Sequence, residues 1–414
     1  MGVGQTEVAI VRFNKPMNPT SRNEHPIVIA GGGIGGLACA LALARDGFQS
    51  LVLEQAREFG EVGVGLQVAP NALSVLDALG VGDAAKKNAL LIERLLMIDG
   101  VTGEEVANVP LDERFVQRFG NPYAVSHRAD IHGALLDACR SHDLVELRTD
   151  ARVVDFKIDN GRVSVTATSG HRVVAPALIG ADGVHSNVRK RIVGDGDPLN
   201  AGAVIFRATI AADEMPKPLQ HPYPTFWAGP GWHVIYYPLR DWSMFNLGCT
   251  LVTGAPEYED GQEVTPRDVL PRFTGGCAAP FRVMRIPKKF RHYVIRHREP
   301  VDNWTSGPVT LLGDAAHPMV QYIAQGAAMA LEDAICLAGA ANETNGDFAK
   351  AFQRYQDIRI VRTARVQISS LMMDRINHAA GLERKVRNSL FEGRTPEQFY
   401  ERLAWLYTPP PYVK

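Results

Sequence analysis

The chain has 414 residues, of which 46% are hydrophobic and 21% charged, and its formal net charge at pH 7 is −1. This composition is that of a globular protein with two or three domains. Scattered Lys and Arg residues offer no basic surface to nucleic acid or to an anionic membrane, and no apolar run reaches the roughly 18 residues that span a bilayer. Five widely separated cysteines without metal-ligand spacing favour free thiols, no metal site and a reducing, cytoplasmic location.

The first predicted elements follow residues 1–25, which lack the apolar core and basic start of a signal peptide. We interpret these residues as a tail that could be disordered. A short apolar run over 27–30 predicts a buried parallel strand. The alanine- and leucine-rich stretch over 37–45 predicts a helix, which Gly47 ends. A second strand then finishes at Glu54.

The turn between this strand and helix contains Gly31, Gly33 and Gly36 in a G-x-G-x-x-G pattern. The first glycine permits the tight turn, the second lets a pyrophosphate approach the backbone, and the third lets helix and strand pack closely. Free N–H groups at the helix start attract phosphates. Glu54 is placed to bind a ribose hydroxyl and would repel the 2′-phosphate of NADP. The pattern predicts a dinucleotide site without choosing between NAD and FAD.

Two further acidic turns follow predicted strands later in the chain. Asp182-Gly183 ends an apolar run over 177–180, and Gly313-Asp314 ends another over 309–312 and precedes a helix. Both turns would point toward a ligand at the ends of the strands. Simpler interpretations remain open, because Asp182 suits an ordinary turn and Asp314 suits a helix N-cap.

The middle of the chain, from residue 197 to about 300, changes in character. Segments rich in β-branched and aromatic residues alternate with turn residues there, which predicts a mixed or antiparallel sheet. The stretch from 346 to 414 reads as helices. The overall pattern therefore favours an α/β protein with an inserted sheet.

In their order and spacing, the G-x-G-x-x-G turn, the DG motif at Asp182 and the GDAAH motif at Gly313 resemble the single-component FAD-dependent aromatic hydroxylases of the para-hydroxybenzoate hydroxylase type. The stretches 60–80 and 126–136 resemble its salicylate-hydroxylase-like branch. The resemblance implies a glutathione-reductase-like, Rossmann-type FAD-binding domain with an inserted β-sheet substrate domain and C-terminal helices. The implied limits are 26–196 with 300–372 for the FAD-binding domain, 197–299 for the substrate domain and 373–414 for the helical segment.

The resemblance also implies roles for the motif residues. FAD is the bound cofactor, and NADH, with NADPH as an alternative, is the co-substrate without a separate domain. The adenosine end of FAD would contact Gly31, Gly33, Gly36 and Glu54, and its ribityl or pyrophosphate region would contact Asp314. Asp182 and Gly183 would contact both FAD and the nicotinamide nucleotide. Arg128 would reach FAD across the domain, although a surface ion pair with Asp130 is the simpler alternative.

Chemistry of this kind needs an electron-rich ring, a hydrogen-bond acceptor near its hydroxyl and a dry pocket. His233 is the first candidate acceptor, and alternation along its predicted strand places Tyr237 on the same face. A core histidine is the alternative interpretation. Gln321 stands where many relatives have proline and adds an acceptor and two donors. Tyr123 is a further candidate to line the ring slot or to hold a carboxylate, or else a core tyrosine.

The predicted reaction is the hydroxylation of a small phenolic aromatic acid with NADH and O2. The glutamine at 321 resembles the part of the family that converts 3-hydroxybenzoate to 2,5-dihydroxybenzoate. Alternatives are 1-hydroxylation of salicylate, 3-hydroxylation of 6-hydroxynicotinate, and an FAD-binding protein without hydroxylase activity. A flavin halogenase is disfavoured, because the five tryptophans never form a W-x-W-x-I-P pattern. A homodimer is compatible with the sequence, but no residue in it argues for one.

Overall fold

The computed structural model describes residues 21–60, 65–168, 170–254 and 260–413. Most of the predicted N-terminal tail therefore lies outside the described residues. The strands are β1 (Ile27–Ala30), β2 (Ser50–Leu53), β3 (Gly65–Val68), β4 (Leu90–Leu91), β5 (Arg94–Asp99), β6 (Glu105–Pro110), β7 (Ala124–His127), β8 (Val145–Arg148), β9 (Val153–Asp159), β10 (Arg162–Ala167), β11 (Arg172–Ala175), β12 (Leu178–Gly180), β13 (Leu199–Ala211), β14 (Thr225–Gly229), β15 (Trp232–Leu239), β16 (Met244–Val252), β17 (Glu263–Val264), β18 (Phe290–His297), β19 (Thr305–Ser306) and β20 (Val309–Leu311). The α-helices are α1 (Ile34–Arg45), α2 (Pro70–Ala78), α3 (Gly82–Lys86), α4 (Glu113–Phe119), α5 (Arg128–Arg140), α6 (Asn187–Ile192), α7 (Pro266–Val269), α8 (Ala278–Met284), α9 (Gly326–Glu343), α10 (Phe348–Asn377), α11 (Gly381–Phe391) and α12 (Pro396–Tyr407).

A six-stranded sheet contains the predicted nucleotide turn. Its order is β19-β20-β12-β1-β2-β8, and every neighbouring pair is parallel except β19 with β20. Strands β1, β2, β12 and β20 are wholly buried, as expected for apolar strands covered on both faces. The carboxyl ends of parallel strands share one edge, so the G-x-G-x-x-G turn, the DG turn and the GDAAH loop meet there. The predicted α/β fold class is confirmed.

The second large sheet has eight strands in the order β17-β18-β13-β16-β15-β14-β5-β6. One face carries the apolar side chains of β13 to β16 and packs against α7, α8 and the segments around them. Strands β5 and β6 lie within residues that the sequence assigned to the FAD-binding part, and β5 joins this sheet by parallel pairing with β14. Such a pairing joins segments more than a hundred residues apart, and a local pattern gives no sign of it.

Two small antiparallel sheets, β11-β10-β9 and β3-β7-β4, complete the strands. Helix α10 runs between the two large sheets: the Tyr355 hydroxyl near its start donates to the carbonyl of Leu311 on β20 (3.1 Å), and beyond its end the carbonyl of His378 accepts from Gly231 N–H (2.9 Å). None of the described helices is long and apolar enough to cross a membrane.

Candidate active site

The glycine turn after β1 has no room for side chains. Gly31 has a φ of +107°, and a Cβ atom there would lie 2.3 Å from the carbonyl oxygen of Ala181. A Cβ on Gly36 would lie 2.0 Å from the carbonyl oxygen of Gly31. Both distances are far inside van der Waals contact, so the sequence needs glycine at both positions to bring β1, α1 and the DG turn together.

Helix α1 presents an open N-terminus at this turn. Its N-cap, Gly33, is extended and provides no side-chain cap. The Glu54 carboxylate accepts hydrogen bonds from the N–H groups of Gly32 (2.7 Å) and Ala56 (2.9 Å), which fixes it beside the turn at the end of β2. An uncapped helix start next to a fixed carboxylate suits a pyrophosphate and a ribose, respectively. These residues therefore fit the adenosine end of FAD.

The Asp182 carboxylate is engaged within its own turn. It accepts hydrogen bonds from the Ser186 hydroxyl and from the N–H groups of Asn187 (2.8 Å) and Val188 (3.3 Å) at the start of α6. Burial raises the pKa of this carboxyl group, and the three donors oppose that effect. The following Gly183 adopts a φ of +76°. Asp182 thus holds the turn as the simpler interpretation expected, and its contact with a nucleotide stays a prediction.

The GDAAH loop is held from behind by Asp333 of α9. The Asp333 carboxylate accepts from Gly313 N–H (2.9 Å), contacts Nε2 of His317 (2.6 Å) and pairs with Arg359 (2.6 Å). Asp314 itself is exposed and lies close to the start of α9. Its carboxylate is therefore accessible at the edge of the sheet where the three motifs meet.

Arg128 is the first residue of α5, directly after β7. Asp130, its simpler predicted partner, forms an ion pair with Arg240 (2.9 Å). Burial, together with the positive charge of Arg128, lowers the pKa of Arg207 on β13. Arg128 therefore lies near the antiparallel sheet, and its contact with FAD stays a prediction.

The eight-stranded sheet, called the antiparallel sheet below because all its strand pairs except β14–β5 are antiparallel, has a second, more polar face on the side opposite its apolar core. Strand alternation places His233, Ile235 and Tyr237 of β15 on this face, and the cross-strand partners of these residues on β16 are Thr250, Gly248 and Asn246. Gln321, in the segment after the GDAAH loop, reaches this face through Thr250, whose hydroxyl oxygen lies 3.5 Å from its amide nitrogen. The face thus brings His233, Tyr237 and Gln321 together, and their roles stay predictions.

His233 is buried and makes its hydrogen bond to another histidine. Its Nδ1 lies 2.8 Å from Nε2 of His378, and its ring stacks on Phe226 with centroids 4.8 Å apart. Burial, together with the neighbouring imidazole of His378, lowers the pKa of His233 well below its usual value. The imidazole is therefore neutral at pH 7 and has a ring nitrogen that can accept a hydrogen bond.

The two predicted tyrosines are buried at different places. The Tyr123 hydroxyl donates to Oε1 of Gln67 (3.0 Å), and its ring packs edge-on against Tyr407, as a core tyrosine would. Tyr237 packs so closely on Gly65 of β3 that a Cβ atom there would lie 2.6 Å from its hydroxyl oxygen. Burial raises the pKa of both phenols, so both remain hydrogen-bond donors at neutral pH.

Sequence reasoning missed Arg207, which lies on the same polar face. Its guanidinium donates to Oε1 of Gln321 (3.3 Å), and none of the described carboxylates pairs with it. The signal was present in the strand "AVIFRATI", where one cation interrupts an apolar run. His378 and Asp374 were also missed, because nothing local distinguishes them from other polar residues at the end of a helix.

The chain is similar to known proteins in both sequence and fold. A family model described as an FAD binding domain matches residues 24–352. The chain is 47% identical to 3-hydroxybenzoate 6-hydroxylase 1 of Aquipseudomonas alcaligenes over 92% of this chain and 97% of that protein. It is 45% identical to 3-hydroxybenzoate 6-hydroxylase of Polaromonas naphthalenivorans over 92% of this chain and 95% of that protein. Among solved structures, Klebsiella pneumoniae HpxO complexed with FAD and uric acid matches with a TM-score of 0.83 at 25% identity, covering 93% of this chain and 98% of the other.

Proposed function

Because this chain belongs to the family of proteins with this FAD-binding domain and is an FAD-dependent aromatic monooxygenase, we propose that it hydroxylates 3-hydroxybenzoate at carbon 6 to give 2,5-dihydroxybenzoate. The observation that carries the choice of substrate is the polar face of the antiparallel sheet. This face holds a neutral acceptor, His233, and a partly buried cation, Arg207, on strands that are separated only by β16. Neighbouring strands are about 4.8 Å apart and Arg207 lies two residues further along its strand than the position opposite His233, so the two backbones are roughly 12 Å apart, a span that two long side chains and a small aromatic acid can fill.

The chain's own residues prepare the ring for attack. When bound, FAD passes electrons from the reduced nicotinamide to O2 and thereby supplies the oxygen atom that is inserted. His233 accepts the hydrogen bond, and then the proton, of the substrate hydroxyl, which raises electron density at the ortho and para ring carbons. Arg207 and the Tyr237 hydroxyl bind the carboxylate and hold the ring in one orientation. That orientation selects carbon 6, which is para to the hydroxyl.

The remaining residues fix the cofactor and keep water out. Gly31, Gly33, Gly36 and Glu54 hold the adenosine end of FAD, while Asp314, Arg128 and the Asp182-Gly183 turn approach it from the facing elements. Gln321 hydrogen-bonds the substrate hydroxyl beside His233, and Tyr123 lines the slot. NADH is the proposed electron donor.

Product analysis tests this proposal. The purified protein is expected to be yellow, and 3-hydroxybenzoate should stimulate its consumption of NADH with 2,5-dihydroxybenzoate as the product by chromatography. Catechol from salicylate, or 2,5-dihydroxypyridine from 6-hydroxynicotinate, would instead assign one of the alternative reactions. NADH oxidation that ignores all hydroxybenzoates would favour an FAD-binding protein without hydroxylase activity.

His233 is tested by an alanine variant of the same enzyme. His233→Ala should still bind FAD and oxidise NADH, but it should form product about a hundredfold more slowly, because general base catalysis contributes about 10²- to 10⁴-fold. Full coupled hydroxylation in this variant would remove His233 from the mechanism.

The oligomeric state is also proposed to be a homodimer. Helix α10 exposes Ile358, Val361, Ile368 and Met372, whose intervals of three, seven and four residues place them on one side of the helix, the arrangement of apolar residues that pairs two helices. Light scattering after size exclusion should give twice the chain mass for the wild type. Val361→Glu should reduce it to the mass of one chain, whereas Val154→Glu, at an exposed valine on β9, should leave the dimer intact.

A further inference from the structure

His233 is the first of three residues in a continuous hydrogen-bonded series. Its Nδ1 lies 2.8 Å from Nε2 of His378, and Nδ1 of His378 lies 2.8 Å from Oδ1 of Asp374. Both histidines are buried, whereas the Asp374 side chain is 37% exposed. The series therefore leads from the polar face of the sheet to the surface, along the last turn of α10.

The chemistry of the three groups fixes where the protons lie. A carboxylate only accepts, so Asp374 must receive the hydrogen bond from Nδ1–H of His378. The neutral ring of His378 then has a bare Nε2, which accepts from Nδ1–H of His233. The remaining nitrogen of His233, Nε2, is consequently an unprotonated acceptor, and none of the described residues forms a hydrogen bond with it.

We infer that His378 and Asp374 are positioning residues for hydroxylation, which hold the basic nitrogen of His233 toward the substrate hydroxyl and conduct its proton to solvent. This inference rests on the proposed function. In the transfer, the substrate O–H bond breaks as an N–H bond forms on Nε2 of His233. The Nδ1 proton of His233 moves to Nε2 of His378, the Nδ1 proton of His378 moves to Asp374, and water removes that proton from the carboxyl group. These steps are proton transfers, and no atom is oxidised or reduced in them.

Few other ionisable groups face this series. Tyr322 packs edge-on against both imidazoles, with centroids 5.6 Å from His233 and 5.4 Å from His378, and burial raises the pKa of its phenol so that it stays neutral. His297 of β18 faces Asp374. Although burial acts against them, the hydrogen bond from His378 and the nearby imidazoles of His378 and His297 lower the pKa of Asp374. The carboxylate is therefore ionised at neutral pH, as a terminal acceptor must be.

The test compares Asp374→Asn with Asp357→Asn in the FAD-loaded enzyme. Asp357 is an exposed carboxylate on the same helix that interacts only with Gln353 among the described residues, so its variant is the matched control. Asp374→Asn should lower kcat for 3-hydroxybenzoate about tenfold or more at pH 7, with a smaller change in KM. The loss should shrink as pH rises toward about 10, because the phenol then ionises without help.

An equilibrium measurement separates this role from a structural one. The absorbance of 3-hydroxybenzoate bound to the oxidised enzyme reports the ionised fraction of its phenol, and Asp374→Asn should raise the apparent pKa of the bound phenol by about one or more. His378→Gln retains an acceptor for Nδ1–H of His233, so it should keep more activity than His378→Leu; this pair serves if Asp374→Asn does not fold.

The outcomes distinguish the two proposals. A wild-type enzyme that hydroxylates 3-hydroxybenzoate, while Asp374→Asn matches Asp357→Asn at every pH and His378→Gln matches His378→Leu, overturns the role of the series and leaves the function standing. A wild-type enzyme that does not convert 3-hydroxybenzoate overturns both.

Discussion

Arg207 is a partly buried cation whose described hydrogen-bond partner is neutral. Its guanidinium donates a hydrogen bond to the amide oxygen of Gln321. Burial lowers the pKa of Arg207, and the nearby Tyr237 partly opposes this effect. A buried charge is costly unless an opposite charge compensates it. The carboxylate of the proposed substrate would supply that compensation at a strand position where an apolar residue is otherwise expected.

Replacing this cation should weaken binding of the acid specifically. Arg207→Met is expected to raise the Kd for 3-hydroxybenzoate about 10- to 100-fold, since a hydrogen bond to a charged group contributes about 1.5–3 kcal/mol. The Kd of a neutral phenol without the carboxylate should change much less, and titration of the flavin absorbance measures both. The control is Arg291→Met, because Arg291 lies opposite Arg207 on the neighbouring strand β18 but has a solvent-exposed side chain. Equal losses for the two ligands would count against carboxylate recognition.

The glycine turn makes a similarly specific prediction. Gly31→Ala places a methyl group against the carbonyl of Ala181 and strains a backbone at φ +107°, so the protein should be isolated without FAD. The ratio of flavin to protein absorbance measures this loss. Gly133→Ala on α5 is the control, because its Cβ would meet nothing within 4 Å. A yellow Gly31→Ala protein with normal FAD affinity would show that the turn does not bind the cofactor.

At the residue scale, the sequence predicts features that depend on neighbouring residues and misses those that depend on contacts between distant segments. The motif glycines are recognisable because their backbone requirement is met within a few residues. The contacts of Arg207 with Gln321 and of His378 with His233 form only when distant segments of the chain pack together. No spacing rule in the sequence links these segments. The face shared by His233 and Tyr237 was predictable, because alternation along one strand is local; the catalytic roles of both residues remain predictions.

Among the elements, α6 connects two of the three motifs. Arg189 in this short helix is fully buried, pairs with Asp195 (2.7 Å) and donates to the carbonyl of Ala315 in the GDAAH loop (3.0 Å). Asp195 also accepts from Arg298 (3.0 Å). The loop that follows β20 and the DG turn that follows β12 are therefore fixed relative to each other by one guanidinium group.

Removing that guanidinium group should loosen the loop and destabilise the protein. Arg189→Met is expected to lower the free energy of unfolding by about 1–3 kcal/mol, because it leaves the buried carbonyl groups of Ala315 and Ala316 without their donor. Urea denaturation measures the change, and the FAD affinity should fall with it. Lys190→Met is the matched control: its ion pair with Asp197 is exposed, and such pairs contribute about 0–1 kcal/mol. Similar effects of the two substitutions would contradict the connecting role of Arg189.

The elements of the parallel sheet were predictable, whereas part of the antiparallel sheet was not. Continuous apolar runs bounded by glycine indicate β1 and β20 directly. Strands β5 and β6 have no such boundary and find their partner only through β14. The limits proposed for the substrate domain, 197–299, therefore omit two strands of the sheet that contains His233, and the domain limits remain a prediction.

Across the whole molecule, buried ion pairs attach the C-terminal helices to the rest. Arg359 of α10 pairs with both Glu332 (2.5 Å) and Asp333 (2.6 Å) of α9, behind the GDAAH loop. Arg387 of α11 pairs with Asp99 at the end of β5 (3.0 Å). The carboxylate in each of these pairs is inaccessible to solvent. The packing of both large sheets against the C-terminal helices consequently depends on carboxylates that must stay ionised.

This arrangement predicts a stepwise loss of stability in acid. Burial lowers the pKa of His233 in the folded protein. Below the unfolded pKa of about 6.5, the unfolded chain therefore binds one more proton than the folded protein, and the free energy of unfolding falls by up to about 1.4 kcal/mol per pH unit.

A second decline should begin below about pH 4. Although burial opposes them, ion pairs and hydrogen bonds lower the pKa of Glu332 and Asp333 and that of Asp99 to about 2, so these groups stabilise the fold above pH 4 and lose that effect as pH falls through their folded pKa values. Urea denaturation between pH 3 and 8 measures both phases. His233→Asn should weaken the first phase, to which His127, His185 and His221 also contribute because burial lowers their pKa values, and it should leave the second phase, because the buried carboxylates are unchanged. A single decline below pH 4 in the wild type would mean that His233 does not carry the upper phase.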